Sequence, residues 1–314
     1  MSSNQLAVTI GKFEALHLGH RSLIDSTVKY ANDHGLTSAV LSFSPHPAEV
    51  LSNKEYKPLF TKEEQFFLLK KFDIGRWIPF PFDRGFSQML PEEFCRFLIT
   101  KFDCRAVLVG EGFRFGRNRA GTAEFLRTMG EELGLEVIIV PYLQINGDSQ
   151  TKISTSKIRE CLALGKVRKA NELLGMPFMV MGTVQKGRQL GRTISFPTAN
   201  IHPSSDKFLP PDGVYATRVR VIDRSFKTDG PELGPMPGIT NIGTNPTVAE
   251  EHRRKAETYI FDFDGDIYGK EILVEFYDFI RPERKFSGLQ ELEGQIKEDI
   301  RKAMLLLGIK AISS

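Results

Sequence analysis

The stretch GKFEALHLGH, residues 11–20, decides the fold of the first half of the chain. It follows a short apolar run, residues 6–10, and leads into residues 19–33, where apolar side chains recur at helical spacing. A strand, a loop and a helix in this order open the alternating pattern that is typical of a parallel sheet covered by helices. Ligands on such sheets bind at the carboxyl ends of the strands, so residues 11–20 are a candidate site.

The alternation continues to about residue 176. Further strands are predicted over residues 39–43, 105–110 and 136–141, and further helices over residues 91–102, 122–133, 155–164 and 166–174. The first half is therefore predicted to be an α/β domain with one parallel sheet. Residues 44–47 and 110–121 also follow strand ends, and we expect them to contribute to ligand binding.

The pattern of the sequence changes after Gly175-Met-Pro177. Short runs rich in Val, Ile, Tyr, Phe and Thr predict antiparallel strands over residues 178–184, 213–222, 256–263 and 271–279, with residues 223–237 as a loop. A last helix, over about residues 289–307, carries one apolar stripe. We predict a small antiparallel β-barrel with a C-terminal helix here, and two domains over residues 1–176 and 177–314.

Composition excludes several classes of protein. The 314 residues include 42 Lys and Arg against 39 Asp and Glu, and this net charge of +3 is too small to indicate nucleic-acid binding. No apolar run approaches the roughly 20 residues of a membrane span, and the start of the chain lacks the pattern of a signal peptide. The three cysteines argue against a disulfide framework or a zinc site. We expect a cytoplasmic protein without nucleic-acid or membrane partners, and a weak homo-oligomer is compatible with the sequence.

Two histidines of the GKFEALHLGH stretch, His17 and His20, stand where the predicted helix begins. Free backbone N–H groups and the helix dipole attract anions there, and Gly19 lets the backbone approach a phosphate while both imidazoles donate hydrogen bonds. The alternative is that one or both histidines only cap the helix. A second helix start, residues 153–159, carries three hydroxyls and Arg159, which suit a polyphosphate tail or form an ordinary N-cap with a solvated arginine.

The second half offers a different set of groups. Residues 197–200, PTAN, provide a hydroxyl and an amide oxygen, which are hard ligands that suit Mg²⁺ on phosphates, although PTAN is equally typical of a turn. Residues 187–193 form a basic loop between glycines that could fold over a nucleotide. Glu275 lies inside an otherwise apolar strand, either as a general base for a hydroxyl or as one residue of a wet face.

Motifs of the first half resemble a known family. HLGH at 17–20 and ISTSKIR at 153–159 resemble the nucleotidyltransferase superfamily, and FSPHP at 43–47, PEEF at 91–94 and GEGFRFG at 110–116 resemble bacterial bifunctional riboflavin kinase/FMN adenylyltransferases. The resemblance implies a nucleotidyltransferase-like domain that transfers AMP from ATP to FMN and releases pyrophosphate. The residues it implies for ATP are Gly11, Lys12, Phe13, His17, Gly19, His20, Ser154, Thr155, Ser156 and Arg159, with His17 and His20 as catalytic groups. The residues it implies for the flavin are Pro45, His46, Pro47 and Phe113.

The second half resembles the riboflavin kinase domain of the same family. The motifs are GRTISFPTAN at 191–200, NIGTNPT at 241–247, FDGDIYG at 263–269 and RPERKF at 281–286. The resemblance implies transfer of the ATP γ-phosphate to riboflavin, with Glu275 as catalytic base and with Glu275 and Arg281 at the flavin. The implied ATP ligands are Gly187, Arg192, Pro197, Thr198 and Asn200, of which Thr198 and Asn200 would hold Mg²⁺.

Four residues depart from the family pattern in the first half. Lys12, Glu14 and Ala15 stand where Asn, Asp and Gly are usual, and Gly112 replaces an acidic residue. The main hypothesis is a bifunctional enzyme that uses ATP twice, converting riboflavin to FMN and FMN to FAD. One alternative is a riboflavin kinase with an impaired or altered adenylyltransferase domain. Another is a regulatory protein that binds flavin or RNA without catalysis.

Overall fold

The computed structural model describes residues 5–52, 56–143, 153–186, 196–222, 233–244 and 254–309. The chain packs as two compact units. The first comprises residues 1–57 and 65–154, and the second comprises residues 58–64 and 155–314. The helices between residues 155 and 174, which precede the predicted boundary at 176, therefore pack in the second unit. The assignment of the two activities to residues 1–176 and 177–314 stays a prediction.

The first unit is an α/β structure, as predicted. Its strands are β1 (Leu6–Gly11), β2 (Thr37–Ser44), β3 (Arg76–Pro81), β4 (Cys104–Gly110), β5 (Arg114–Phe115), β6 (Gly121–Thr122) and β7 (Glu136–Val140). Its helices are α1 (Leu18–His34), α2 (Pro47–Leu51), α3 (Lys62–Leu69, which begins in the second unit), α4 (Pro91–Phe102) and α5 (Ala123–Leu133). Five of the strands form a parallel sheet in the order β3-β2-β1-β4-β7, and β5 pairs with β6.

The central position of β1 explains its apolar sequence. It pairs with β2 on one side and β4 on the other, and five of its six residues are buried. Parallel strands that are covered on both faces read as continuous apolar runs, which is why the run before residue 11 could be recognised. The carboxyl end of β1 therefore opens at the centre of the sheet, where the GKFEALHLGH stretch begins.

Strand β3 was missed by the sequence reading because it contains two prolines. Pro79 and Pro81 have no backbone N–H to donate to a neighbouring strand. They are tolerated because β3 lies at the edge of the sheet and pairs only with β2. The indole of Trp77, on the same strand, donates to Ser42 Oγ at 2.8 Å.

The second unit contains the predicted antiparallel barrel and C-terminal helix. Its strands are β8 (Phe178–Thr183), β9 (Thr198–Ile201), β10 (Gly213–Ile222), β11 (Leu233–Thr244), β12 (Arg254–Ile260) and β13 (Glu271–Arg281). Its helices are α6 (Thr155–Ala163), α7 (Val167–Leu174) and α8 (Leu289–Leu306). The strand order is β8-β13-β10-β11-β12-β9, and an isolated bridge between Gln185 and Asn200 brings the two edges together.

Two parts of this barrel differ from the sequence reading. Residues 233–237, expected in a loop, belong to β11, which pairs with both β10 and β12. Glycine is required at position 234 of this strand, because Gly234 has φ 122° and a Cβ there would lie 2.5 Å from the carbonyl oxygen of Val219. The turn alternative for PTAN is also wrong, because Thr198 begins β9.

A short segment of the first half, residues 58–64, is fixed in the second unit by a buried ion pair. Glu64 and Lys207 have side chains only 1% exposed, and their charged atoms lie 2.5 Å apart. Lys207 Nζ also donates to the carbonyl of Leu59, and Glu64 Oε1 accepts from the backbone N–H of Met181 on β8. These additional hydrogen bonds offset the desolvation of both charges.

Candidate functional site

The two histidines of the first unit stand at the start of α1. His17 is the N-cap residue, with φ −66° and ψ 169°, and its Nδ1 accepts from the backbone N–H of His20 at 3.2 Å. The two imidazole rings stack with centroids 3.7 Å apart and planes 12° from parallel. The capping role considered for His17 is therefore confirmed, and its phosphate-binding role stays a prediction. Because Nδ1 accepts, the neutral ring carries its proton on Nε2, which can donate to a ligand.

Both imidazoles are neutral at physiological pH. Burial lowers the pKa of His17 to about 4, and burial together with the neighbouring His17 ring holds the pKa of His20 well below its usual value. His20 Nδ1 is buried and has no hydrogen-bond partner within the part of the chain that the structure describes. A buried polar atom without a partner is uncommon in folded proteins and points to a ligand.

The backbone around the histidines is tightly packed. A Cβ at Gly11 would lie 3.0 Å from the ring of Phe13, and a Cβ at Gly19 would lie 3.3 Å from the ring of His17. Phe13 has φ 44° and its ring centroid is 5.1 Å from that of His20. Burial and the nearby Arg119 lower the pKa of Lys12, while Glu14 opposes this shift. The loop thus holds glycines, neutral imidazoles and positive charge at one strand end.

Glu14, one of the departures from the family pattern, holds the FSPHP segment. The Tyr56 hydroxyl donates to Glu14 Oε2, and His46 Nε2 lies 3.9 Å from the same oxygen. The His46 and Tyr56 rings stack at 4.2 Å, and His46 Nδ1 accepts from the backbone N–H of Ala48 at the start of α2. Pro45 and Pro47 flank this histidine. The buried glutamate therefore ties the predicted flavin segment to the predicted phosphate loop.

The remaining predicted residues of the adenylyltransferase fall in two places. Phe113 is half-buried after β4 and stacks on the buried Phe115 with centroids 5.4 Å apart. Ser154 ends the first unit, while Thr155 and Ser156 begin α6 in the second. Arg159 of α6 lies 5.2 Å above the ring of Phe208. Their roles at a flavin or a triphosphate stay predictions.

The predicted metal and nucleotide ligands of the second half lie on β9. Asn200 is buried, and its Nδ2 donates to the carbonyl oxygen and hydroxyl of Thr198 at 3.2 and 3.3 Å. A cleft of about 70 Å³ adjoins them and is lined mainly by apolar side chains. Its walls include Pro197, Thr198, Val184, Ile260, Ile267 and Tyr268. Gly187 and Arg192, also predicted to bind ATP, lie outside the described residues.

Glu275 occupies a different part of the barrel wall. The residue is 5% exposed, and its Oε1 lies 3.3 Å from Arg220 Nε. The Tyr277 hydroxyl lies 3.5 Å from its Oε2, and Arg218 stands opposite on β10. The wet-face alternative does not apply to so buried a carboxylate. The prediction that Glu275 is the base is untested, but its contacts are those of a structural ion pair.

Arg281, predicted at the flavin, is held by α8. Its guanidinium donates to both carboxylate oxygens of Asp299 at 2.8 to 3.0 Å, and Asp299 is 1% exposed. Gln295 Nε2 donates to the same carboxylate. This arrangement fixes the end of β13 to the helix, and a flavin contact for Arg281 stays a prediction.

The sequence reading missed Glu257, which the sheet register places beside Asn200. Glu257 of β12 is directly opposite Asn200 of β9 and directly opposite Asn241 of β11. Directly opposite residues of antiparallel strands point to the same face. We call Asn241, Glu257 and Asn200 the polar row. The Lys255 ammonium pairs with the Glu257 carboxylate, which is 30% exposed.

Two family models match the chain, FAD synthetase over residues 1–157 and riboflavin kinase over residues 174–307. Bifunctional riboflavin kinase/FMN adenylyltransferases from Listeria monocytogenes and Bacillus subtilis are each 34% identical to it. The Listeria alignment covers 93% of this chain and 89% of the relative, and the Bacillus alignment covers 95% and 91%. The chain belongs to the bifunctional riboflavin kinase/FMN adenylyltransferase family. The resemblance of its motifs to this family is thereby confirmed.

A solved structure shares the fold over nearly its full length. It is that of a protein described as a macrolide-efflux protein from Streptococcus pneumoniae, with a TM-score of 0.82, 28% identity and coverage of 96% of this chain and 94% of the other. Within the described ranges, none of the helices has both the length and the apolar character needed to cross a bilayer. The two family models and the division of the chain into two compact units thus agree on a two-part architecture.

Proposed function

We propose that the chain phosphorylates riboflavin at the polar row of its second unit and adenylylates the product, FMN, at the α1 start of its first unit. Both activities follow from family membership, and ATP is the co-substrate of each. The residue assignments rest on the geometry described above. The observation that carries them is that each unit presents one cluster of polar groups suited to one of the two reactions.

In the adenylyl transfer, a phosphate oxygen of FMN attacks the α-phosphorus of ATP and the bond to pyrophosphate breaks. No group on the protein needs to accept a proton, because the attacking phosphate is already ionised. His17 and His20 act as neutral hydrogen-bond donors to the phosphates, and the N–H groups at the start of α1 add to the same positive field. Lys12 supplies charge to the leaving pyrophosphate.

In the kinase reaction, the 5′-hydroxyl of riboflavin attacks the γ-phosphorus of ATP and ADP leaves. The hydroxyl must lose its proton, and Glu257 is the carboxylate next to the nucleotide ligands on β9. Its carboxylate pairs with the Lys255 ammonium. We therefore assign the base to Glu257 and a structural role to Glu275.

Mg²⁺ fits the groups on β9. Asn200 directs its Nδ2 to Thr198, which leaves its oxygen for a cation, and Thr198 adds a hydroxyl. No cluster of three or more His, Cys, Asp or Glu side chains suited to a metal occurs in the residues that the structure describes. Mg²⁺ takes few protein ligands when phosphates and waters complete its shell, so Thr198 and Asn200 suffice. When bound, the ion would neutralise charge on the transferred phosphate.

One assay separates this function from its alternatives. Riboflavin, ATP and Mg²⁺ are incubated with the protein, and FMN and FAD are measured by chromatography. The proposal expects both products, and FAD also from added FMN. FMN without FAD would select the impaired-adenylyltransferase alternative, and neither product would select a flavin-binding regulator. The contacts of Glu14 with Tyr56 and His46 support the first outcome, because the altered loop is well packed. A cytoplasmic location and the absence of nucleic-acid partners stay predictions.

A further inference from the structure

Glu283 makes a contact with the polar row that no step described above uses. It lies two residues beyond the end of β13, and its Oε1 accepts from Asn241 Nδ2 at 2.7 Å. A hydrogen bond to a carboxylate is stronger than one between neutral groups. The two residues are 42 positions apart in the chain, so the tertiary fold, and not local sequence, brings them together.

Gly243 creates the space for this contact. A Cβ at position 243 would lie 2.0 Å from Glu283 Oε1 and 2.6 Å from its Cδ. Gly243 is buried, and its backbone does not have the positive φ that would itself require glycine. Glycine at position 243 therefore leaves room for the Glu283 carboxylate beside Asn241.

The contact fixes the orientation of the Asn241 side chain. Because Nδ2 donates to Glu283, the amide is held with its oxygen turned to the other side, where it can accept a hydrogen bond. Asn241 is directly opposite Glu257, which is directly opposite Asn200. The acceptor therefore belongs to the row of groups that we assign to riboflavin phosphorylation.

We propose that Glu283 is a positioning residue that holds Asn241 to accept a hydrogen bond from a ribityl hydroxyl of riboflavin. This inference rests on the proposed site of the kinase reaction. The ribityl chain bears several hydroxyls besides the one that is phosphorylated, and each is a donor in need of an acceptor when water is excluded. Glu283 acts on the substrate only through Asn241.

The test is steady-state kinetics of FMN formation with riboflavin as the varied substrate. Glu283→Ala raises KM for riboflavin about fivefold to tenfold, as loss of one hydrogen bond predicts, and leaves kcat within about twofold. Glu283→Gln keeps an acceptor oxygen and changes KM by less than about threefold. Gly243→Ala displaces the flexible Glu283 carboxylate, whose atoms are the three nearest to the added Cβ, and it gives the KM of Glu283→Ala.

A double-mutant cycle separates positioning from independent effects. Asn241→Ala raises KM as Glu283→Ala does, and the double variant is no worse than either single one, because both changes remove the same hydrogen bond. The matched control is Glu293→Gln, an exposed carboxylate of α8 paired with Lys297, which leaves KM unchanged.

Three results overturn the proposal: an unchanged KM for Glu283→Ala, an equal loss for Glu283→Gln and Glu283→Ala, or multiplication of the two single effects in the double variant. Failure of the proposed base is a separate result. If Glu257→Gln forms FMN at the full rate, the proposed base is wrong. The KM values of the Glu283 and Asn241 variants still test the positioning role independently.

Discussion

The start of α1 and the polar row build their sites in different ways. His17 and His20 are three residues apart, and one hydrogen bond from the His20 backbone N–H to the His17 ring, at a single helix start, sets their relative position. Asn241, Glu257 and Asn200 come from three strands, and only the register of the sheet brings them together. A site built within one turn of helix can be recognised in a sequence. A site built across strands depends on strand pairings that the sequence does not display.

The largest expected effect tests the polar row. Glu257→Gln lowers kcat for FMN formation by about 10²–10⁴-fold, the range for loss of a general base, and leaves FAD formation from FMN within about twofold. Stopped assays with both substrates measure the two rates.

The matched comparison is Glu275→Gln. Glu275 is more deeply buried than Glu257 and also pairs with a cation, so the change lowers the melting temperature while kcat stays within about threefold. If Glu275→Gln abolished turnover in a folded protein and Glu257→Gln did not, the sequence-based choice of base would be right and the register argument wrong.

The next prediction tests the site at the start of α1 with the variant His20→Ala. Removal of one preorganised donor from the phosphates lowers the rate of FAD formation by about 10²–10³-fold and leaves FMN formation intact. His34→Ala, at the other end of α1 and exposed, is the control and changes neither rate. Normal FAD formation by the His20→Ala protein would contradict a phosphate-binding role for His20.

A smaller effect tests the contact of Glu14, in the GKFEALHLGH stretch, with Tyr56, which stacks on His46 of the FSPHP segment. Tyr56→Phe removes the hydroxyl that donates to Glu14, and we expect KM for FMN to rise about threefold to tenfold with kcat nearly unchanged. Lys57→Ala, next in the chain, is the control variant. An unchanged KM for FMN would show that the position of His46 does not depend on this contact.

The last prediction concerns a titration. A pKa of about 4 for His17 lies below the usual 6.5, so between these values the unfolded chain binds a proton that the folded one does not. His17 therefore contributes roughly 3 kcal/mol of stability above pH 6.5 that is lost as the pH falls towards 4. NMR of the imidazole carbons gives the midpoint, and a value near 6 or above would contradict the buried, neutral ring.

Much of the fold was predictable because its signals are local. The apolar run of β1, the spacing of α1 and the strand pattern of β10 and β13 all appear as expected. β3 and β11 were missed because their prolines and glycines suggest loops, and only pairing partners make those residues acceptable in strands. At the sites, His17 and His20 were found from their spacing. Glu257 was within a predicted strand, but nothing in the sequence tells which strand lies opposite.

The most direct test of two separate sites is a mixing experiment. Glu257→Gln and His20→Ala proteins are incubated with riboflavin, ATP and Mg²⁺, each alone and in equal amounts together, and FAD is measured. We expect the first variant alone to make neither product, the second to make only FMN, and the mixture to make FAD. A mixture that yields no FAD, or one variant that makes FAD from riboflavin alone, would contradict the assignment of one reaction to each unit.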